Sequence, residues 1–483
     1  MAGIGFELKK MFDKKEILST LKAYGYAGAV CIGPTILGIL LLLGIGVLAE
    51  VGGATGSQKE QINSMVTYTL LVSMLITNIF GLVVTRYTAD QLYMKKQDKI
   101  MPSFFGSVAI MLGLGGILYG IFLAVSGVSL ERQVLCVIVF GELVVVWTQM
   151  NYLTAIKDYK GILFAFLAAI LGSFAIGYLL VLLRVEIVLA MLGTVCIAYG
   201  IMMVWYHVLL VRYFPRRKGS AFEFVEWFKV YPELMGIGTA LTIGLFGHLV
   251  IMWSSPIKKH IIGLFYSAPS YDIPAFLAFI SILITTVNFV ASAEVRFYPK
   301  YFIYFSLFND GGTLLDIEQA QKEMVTTLIQ ELSYTFAKQF FTTVVFIVAG
   351  SIFLPYLPIG MNEDMLGIYR VLCIGYAFYA VGNVTMLIQL YFSDTKGALI
   401  STTAFMVVSC LATWSMRTIS TRFYGVGFLL GAMVFAGVAL FLLFRYLDQI
   451  VYHILCKQPL TGQKKQGIVT RIRRKQVTRK LYE

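Results

Sequence analysis

Long apolar runs, separated by short polar stretches, follow one another along almost the whole chain. A helix needs about 20 apolar residues to cross roughly 30 Å of hydrocarbon. Only helices and closed barrels satisfy their backbone polar groups in lipid, and uninterrupted apolar runs favour helices. The runs predict twelve spans, at residues 25–49, 66–86, 103–126, 132–154, 161–183, 186–211, 232–253, 273–294, 335–355, 366–392, 397–415 and 424–447.

Composition supports the same fold class. The 483-residue chain is 58% hydrophobic and 13% charged, and its mean hydropathy is +0.79, which is not typical of a soluble domain. We therefore predict an all-α polytopic membrane protein. The first run is too long for the core of a signal peptide and no small-residue cleavage site follows it, so it is expected to remain as the first span.

Basic residues predict the orientation of the spans. With the N-terminus inside, 31 of the 39 Lys and Arg residues fall in inside segments and 8 in outside segments. Cytoplasmic loops carry an excess of Lys and Arg. Both termini are therefore expected in the cytoplasm, in a chain that lies in the cytoplasmic (inner) cell membrane. The net charge of +13 is interpreted as a topology signal, and no nucleic-acid partner is expected.

Motifs for enzymatic chemistry are not found in the sequence. The six cysteines stand singly, without CxxC or Cys/His pairing, so neither a disulfide framework nor a zinc site is predicted. The sequence has no GxxxxGK[ST] phosphate loop and no HExxH motif. We expect a protein that is not an enzyme and has no metal or cofactor.

The two halves of the chain share short matches in equivalent places. Asn78 precedes Arg86 by the same eight positions that separate Asn288 from Arg296. The loop after the fourth span reads Asp158-Tyr159-Lys160-Gly161, and the loop after the tenth reads Asp394-Thr395-Lys396-Gly397. Internal duplication is common in transporters. We predict two pseudo-symmetric six-helix bundles in a parallel relation.

This duplication also predicts the domain boundaries. They are a cytoplasmic segment at 1–24, a first bundle at 25–213, a cytoplasmic linker at 214–231, a second bundle at 232–447 with an amphipathic cytoplasmic loop at 297–334, and a basic cytoplasmic tail at 448–483.

Several of these motifs resemble a known family. They are the opening Met1-Ala2-Gly3-Ile4-Gly5-Phe6-Glu7-Leu8, the start of the first span from Tyr26-Ala27-Gly28 to Gly33-Pro34, and the two Asp-x-Lys-Gly loops. Together they resemble the PelG family, exporters of the Pel exopolysaccharide in the multidrug/oligosaccharidyl-lipid/polysaccharide (MOP) flippase superfamily. The resemblance implies two six-helix bundles around a central cavity, and work beside a cytosolic glycosyltransferase and other membrane proteins of a Pel-type synthesis system. The family usually carries Arg where Lys160 and Lys396 stand, and it lacks the basic tail.

Two ionisable residues inside predicted spans are candidates for substrate binding or coupling. Glu142 lies near the middle of the fourth span, where a carboxylate is expensive to bury. It is expected to face the cavity and to bind a cationic sugar polymer or a proton, and the alternative is a carboxyl held by packing. His248, in the seventh span, is either a proton-sensitive gate or the partner in a satisfied interhelical hydrogen bond.

Polar residues of the repeat form a second candidate set. Asn78 and Asn288 could bind saccharide hydroxyls or bridge helices. A cytoplasmic gate is predicted from Arg86 and Arg296, with salt-bridge partners among Glu294, Asp158 and Asp394. Pro34 is expected to kink the first span.

Two cytoplasmic segments are predicted as partner surfaces. After the eighth span, Thr313 can cap a helix with Asp316 at capping-box distance, and Leu314, Ile317, Met324 and Leu328 approximate one apolar side. The tail from Lys457 to Lys480 carries nine basic residues and is either solvated or in contact with anionic membrane lipid.

The leading hypothesis is therefore an exporter of an amino-sugar-rich, Pel-like polysaccharide that uses alternating access or threading through a central cavity. Three alternatives stay open. They are a proton- or sodium-coupled drug antiporter, a lipid-linked oligosaccharide flippase of the same superfamily, and a membrane scaffold for a glycosyltransferase that transports nothing. The antiporter is disfavoured because the first span, 25–49, holds no carboxylate.

Overall fold

The computed structural model describes residue 28 and residues 33–156, 159–215, 218–310, 312–357 and 360–457. The first half contains α1 (Gly33–Val51), α2 (Gly56–Tyr93), α3 (Ile100–Val125), α4 (Leu130–Ile156), α5 (Tyr159–Leu182), α6 (Ile187–Tyr213) and the short α7 (Val225–Val230). The second half contains α8 (Pro232–Met252), β1 (Lys259–Ile262), β2 (Phe265–Ser267), α9 (Pro269–Ile280), α10 (Leu283–Ser292), α11 (Tyr298–Asp310), α12 (Leu314–Phe353), α13 (Glu363–Tyr391), α14 (Thr395–Met416), α15 (Val426–Asp448) and α16 (Ile450–Lys457).

Long apolar helices dominate the described residues. Eleven of them are long and apolar enough to cross a membrane, and a shorter apolar helix occupies 38–51, at the place of the first predicted span. The prediction of an all-α polytopic membrane protein is confirmed. Residues 25–27 and 29–32 of the first predicted span lie outside the described part of the chain.

Helices pair in the same order in the two halves. In the first half, α1 packs on α5, α2 and α3 on α4, and both α4 and α5 on α6. In the second half, α8 packs on α14, α9 and α12 on α13, and both α13 and α14 on α15. This is the pairing that a six-plus-six duplication predicts.

Two buried glutamines make equivalent hydrogen bonds in the two halves. The Gln149 side chain on α4 donates to the Met203 carbonyl of α6 at 3.1 Å. The Gln389 side chain on α13 donates to the Ala439 carbonyl of α15 at 3.3 Å. Each bond joins the fourth and sixth spans of its own half, so the two halves share a structural polar contact as well as a helix order.

The two halves meet where α2 crosses α8. At Gly238 of α8 a Cβ atom would overlap the Asn78 carbonyl oxygen of α2, so this glycine permits the close approach of the two backbones. We call the α2–α8 contact the seam. The membrane side that carries the β1–β2 hairpin is called the hairpin side, and the opposite one the α7 side.

Two predicted spans differ from the observed helices. The span at 273–294 is divided into α9 and α10, and a π-helical turn at Ala293–Phe297 follows. At the break, the Ser281 hydroxyl bonds back to the Ala278 carbonyl at 2.7 Å, a local alternative to the helix ladder. The span at 335–355 is the second part of the 40-residue α12, whose first part occupies the segment predicted as an amphipathic loop.

The predicted cap of this amphipathic segment is confirmed. Thr313 caps α12 in a capping box with Asp316. Met324 and Leu328 of the predicted apolar side are buried. Leu314, which the pattern predicts on the same side, is 72% exposed in the first turn of α12.

Candidate functional site

Glu142 lies between two helices of the first half. Its carboxylate on α4 points at α6, where the Cys196 thiol donates to Oε1 at 3.5 Å. Gly200 of α6 leaves room for the carboxylate, since a Cβ there would lie 3.1 Å from Oε1. Oε2 is buried and has no hydrogen-bond partner among the described residues. The side chain therefore keeps one free acceptor position for a proton or a cation.

The seam carries a polar contact at its centre. The Asn78 amide of α2 donates to the Thr242 hydroxyl of α8 at 3.0 Å. Thr242 in turn donates to the Gly238 carbonyl at 2.8 Å. Asn78 thus bridges the two halves at the place of their closest backbone approach.

The α7 end of the seam holds a charged and aromatic cluster. Arg86 pairs with Asp90, one turn further along α2, with Nε 3.2 Å from Oδ1. Asp90 also accepts a hydrogen bond from the Trp227 indole of α7 at 2.8 Å. The Arg86 guanidinium lies 5.2 Å from the ring centre of Tyr231, within cation–π range.

Arg86 also acts on the second half. Burial raises the pKa of the Tyr301 hydroxyl on α11, and the nearby Arg86 charge opposes that rise. The Arg86 charge is therefore near enough to the second half to affect the pKa of Tyr301. The carboxylate beside Arg86 among the described side chains is Asp90; Asp158 and the side chain of Glu294, two of the three predicted partners, lie outside the described residues.

The matching residues of the second half have different partners. Asn288 accepts a hydrogen bond from the Lys338 ammonium of α12 at 3.3 Å. Arg296, in the π-helical turn, donates to Glu331 of α12 at 2.8 Å. Each Arg of the repeat thus lies beside a carboxylate. Arg86 and Asp90 both belong to α2, whereas Arg296 and Glu331 join the π-helical turn to α12.

Asp394 caps a helix. Its carboxylate accepts a hydrogen bond from the Gly397 amide at 3.1 Å and so satisfies the first turn of α14. A Cβ at Gly397 would overlap that carboxylate. The Asp-x-Lys-Gly loop is therefore a capping motif in the second half, and no ion pair of Asp394 with Arg86 or Arg296 is found among the described residues.

His248 is enclosed by the second half. Its Nδ1 lies 2.7 Å from the Tyr271 hydroxyl of α9, and its ring lies 4.4 Å from that of Phe428. The side chain is fully buried. The contact is an interhelical hydrogen bond, whereas Nε2 of the same ring is buried and has no hydrogen-bond partner among the described residues. His248 lies in the opposite half from Glu142, and a gating role stays a prediction.

Some predicted site residues are described only in part. Asp158 and the tail 458–483 lie outside the described residues, and so do the side chains of Glu294 and Pro34. Pro34 belongs to the first turn of α1 as described, so the predicted kink stays a prediction. No group of three or more His, Cys, Asp or Glu side chains that could hold a metal ion occurs in the ranges that the structure covers.

Comparison with protein families identifies the chain. Residues 1–455 match the model of the PelG family, which is described as an exopolysaccharide exporter (EPS-E). The chain belongs to the PelG family. The match ends at residue 455, so most of the basic tail lies beyond it. No curated protein sequence matches the chain significantly.

Solved structures of multidrug transporters share the fold. An outward-facing MATE family transporter of the MOP superfamily aligns with a TM-score of 0.60 at 12% identity, over 88% of this chain and 96% of that one. An inward-facing MATE structure gives 0.59 at 12% identity, over 85% and 94%. The eukaryotic MATE transporter AtDTX14 gives 0.60 at 13% identity, over 93% and 98%. The PelG-family chain therefore has a MOP-type transporter or flippase fold.

Sequence reasoning missed most of the seam in this PelG-family chain. Thr242, Trp227 and Tyr231 were not singled out, because contacts between residues more than a hundred positions apart leave no local pattern. Asp90 had a usable signal, since a carboxylate four residues after Arg86 lies on the same helix face.

Proposed function

We propose that this chain exports a Pel-like, amino-sugar-rich exopolysaccharide across the cytoplasmic membrane, with both termini in the cytoplasm. The observation that carries the proposal is the family match over residues 1–455. The fold adds support, because two halves that meet along one seam can change their mutual angle and open a passage alternately to each side.

Glu142 is the proposed coupling or substrate residue. A buried carboxylate in a membrane span is expensive, and such groups commonly mark ion or substrate paths. Oε2 has no hydrogen-bond partner among the described residues, so a protonated amine of the polymer or a coupling proton could occupy that position. The neutral thiol of Cys196 does not compensate a negative charge.

The α7 end of the seam is the proposed cytoplasmic gate. Arg86, Asp90, Trp227 and Tyr231 fasten α2 to the segment just before α8. Movement of α8 relative to α2 must alter these contacts. Asn78 and Thr242 then serve as the polar contact around which the halves rearrange.

Deletion of the chain in its native host tests the export role. Polymer should disappear from the medium while glycosyltransferase activity in cell extracts persists, and a plasmid copy should restore secretion. A plasmid copy carrying Glu131→Gln, at the exposed start of α4, is the matched control and should restore secretion as well. Secretion that persists without the chain, while the synthase is active, would refute the assignment.

A scaffold role is the second candidate, because α11 and the first part of α12 occupy the segment predicted as an amphipathic cytoplasmic loop. Leu314 and Leu315 at the start of α12 are 72% and 75% exposed. Exposed apolar side chains at such a position fit a protein partner such as the cytosolic glycosyltransferase. A Leu314→Ser, Leu315→Ser variant should lose co-purification of that enzyme and keep saccharide passage through reconstituted vesicles. A pure scaffold would show no passage even as wild type.

A further inference from the structure

The β1–β2 hairpin breaks the duplication of the two halves. Between α1 and α2 the chain needs only residues 52–55, whereas the equivalent connection between α8 and α9 uses residues 253–268. The extra residues form an antiparallel hairpin that pairs Lys259 with Ser267 and His260 with Tyr266. Because the first half connects the equivalent helices without a hairpin, the hairpin is not needed merely to join α8 to α9.

This hairpin of the second half bonds to the backbone of the first half. The Leu264 amide at its turn donates to the Ser126 carbonyl, at the end of α3, over 3.0 Å. Gly263 has a φ of +52°, and a Cβ there would overlap the same carbonyl oxygen. Both the conformation and the close approach therefore require glycine.

Tyr68 of α2 fastens the second strand. Its hydroxyl donates to the Tyr266 carbonyl and accepts from the Tyr266 amide, each at 3.1 Å. One phenol thus satisfies both backbone polar groups of a strand residue. These groups would otherwise stay unpaired in a half-buried place, where an unmade hydrogen bond is costly.

Aromatic packing closes the space beneath the hairpin. The Tyr68 ring stacks on Trp253, the residue that follows α8, at 4.5 Å and lies 4.8 Å from the Phe265 ring. Phe265 also packs against Phe122 of α3 at 5.4 Å and is fully buried. A side chain of the second half is thus enclosed by α2 and α3 of the first.

An ion pair completes the contact at its solvent-exposed edge, where Lys259 of β1 meets Glu60 of α2. Such exposed pairs contribute little to stability. Lys259 and Glu60 are accessible and lie in different halves. They can therefore be cross-linked without disturbing the buried contacts.

We infer that the β1–β2 hairpin is a latch that holds the two halves together on the hairpin side and must release for the passage to open there. The halves cannot separate at this side while Leu264, Tyr266 and Phe265 keep their contacts with α2 and α3. Opening exposes Phe265 and leaves the amide and carbonyl of Tyr266 without Tyr68. Closure buries Phe265 and remakes both hydrogen bonds, so the latch favours the state that is closed on this side. The latch rests on the proposed function only where it is tested by measuring transport.

Reversible cross-linking tests the latch during transport. The Glu60→Cys, Lys259→Cys variant replaces the two ion-paired side chains and is joined by a short bifunctional thiol reagent with a reducible spacer. In reconstituted vesicles, passage of amino-sugar oligomers should fall at least tenfold and recover on reduction. The control is Glu50→Cys, Lys59→Cys, which joins another ion-paired couple within the first half and should leave passage unchanged. Cross-linked Glu60→Cys, Lys259→Cys protein that transports as fast as this control would overturn the latch.

A second measurement is independent of transport. Ser126, under the hairpin turn, is 1% exposed, so the thiol of a Ser126→Cys variant should react slowly with a water-soluble maleimide. Tyr68→Phe removes both hydrogen bonds to Tyr266 and should speed the reaction at least tenfold. An unchanged rate in the Tyr68→Phe background would refute the latch whether or not the chain transports. If wild-type vesicles pass no saccharide while this acceleration is seen, the proposed function fails and the latch stands.

Discussion

At the scale of single residues, the account turns on the Glu142 carboxylate. The sequence alone marks it, because a charged residue in the middle of an apolar run is costly. Its surroundings could not be predicted in the same way. Cys196 lies 54 positions away, and only the packing of α4 on α6 brings its thiol and the open space at Gly200 to the carboxylate.

Replacement of Glu142 by Gln tests this role. A carboxamide keeps the shape but can neither hold a cationic amine by charge nor exchange a proton. We expect the initial rate of amino-sugar oligomer passage in vesicles to fall at least tenfold, while the midpoint of thermal unfolding stays the same or rises because a buried charge is removed.

Glu131→Gln is the control for this measurement, since Glu131 lies in the first turn of the same helix and is exposed. Its passage rate should match wild type. Passage through the Glu142→Gln variant at the wild-type rate would remove Glu142 from the path and leave it a packing residue.

At the scale of elements, hydropathy predicted the helices well and their ends less well. Apolar runs locate each span because the hydrocarbon of the bilayer requires apolar side chains. The helices nevertheless continue past these runs: α2 extends about ten residues before and seven after its predicted run, and α12 includes a preceding segment of mixed polarity. Such extensions depend on tertiary contacts. The Asp394 loop shows the same limit, since its sequence matched the first half and was interpreted as part of a gate, while its geometry is that of a cap.

The cap leads to a prediction with an unusual sign. Gly to Ala inside a helix normally stabilises by about 0.5–1 kcal/mol. At Gly397 the added Cβ would displace the Asp394 carboxylate, and loss of a cap costs about 1 kcal/mol. The loss of the cap exceeds the usual gain by at most about 0.5 kcal/mol, so Gly397→Ala should speed amide hydrogen exchange in the first turn of α14 about twofold.

Gly367→Ala is the matched control, because a Cβ at this α13 position meets nothing within 4 Å. It should slow or leave unchanged the exchange of its own helix. If Gly397→Ala also slowed exchange at the start of α14, the cap would not depend on this glycine.

At the scale of the whole molecule, two similarly paired sets of helices meet along the α2–α8 seam. The duplication was predicted from short repeats at Asn78 and Asn288, each eight positions before an Arg in the corresponding span of its half. The seam itself could not be predicted, since Gly238 and Thr242 of α8 give no sign in the sequence of which helix they contact. The hairpin was missed for a related reason, because hydropathy reports lipid contact and says nothing about what a connection between spans bonds to.

The central claim is that this chain alone forms a passage for an amino-sugar polymer, and saccharide flux through reconstituted vesicles tests it most directly. Purified full-length protein in vesicles should pass cationic amino-sugar oligomers at a rate that rises with the protein-to-lipid ratio and falls with the hairpin cross-link in place. Flux no faster than in protein-free vesicles, from protein that remains folded, would contradict the account.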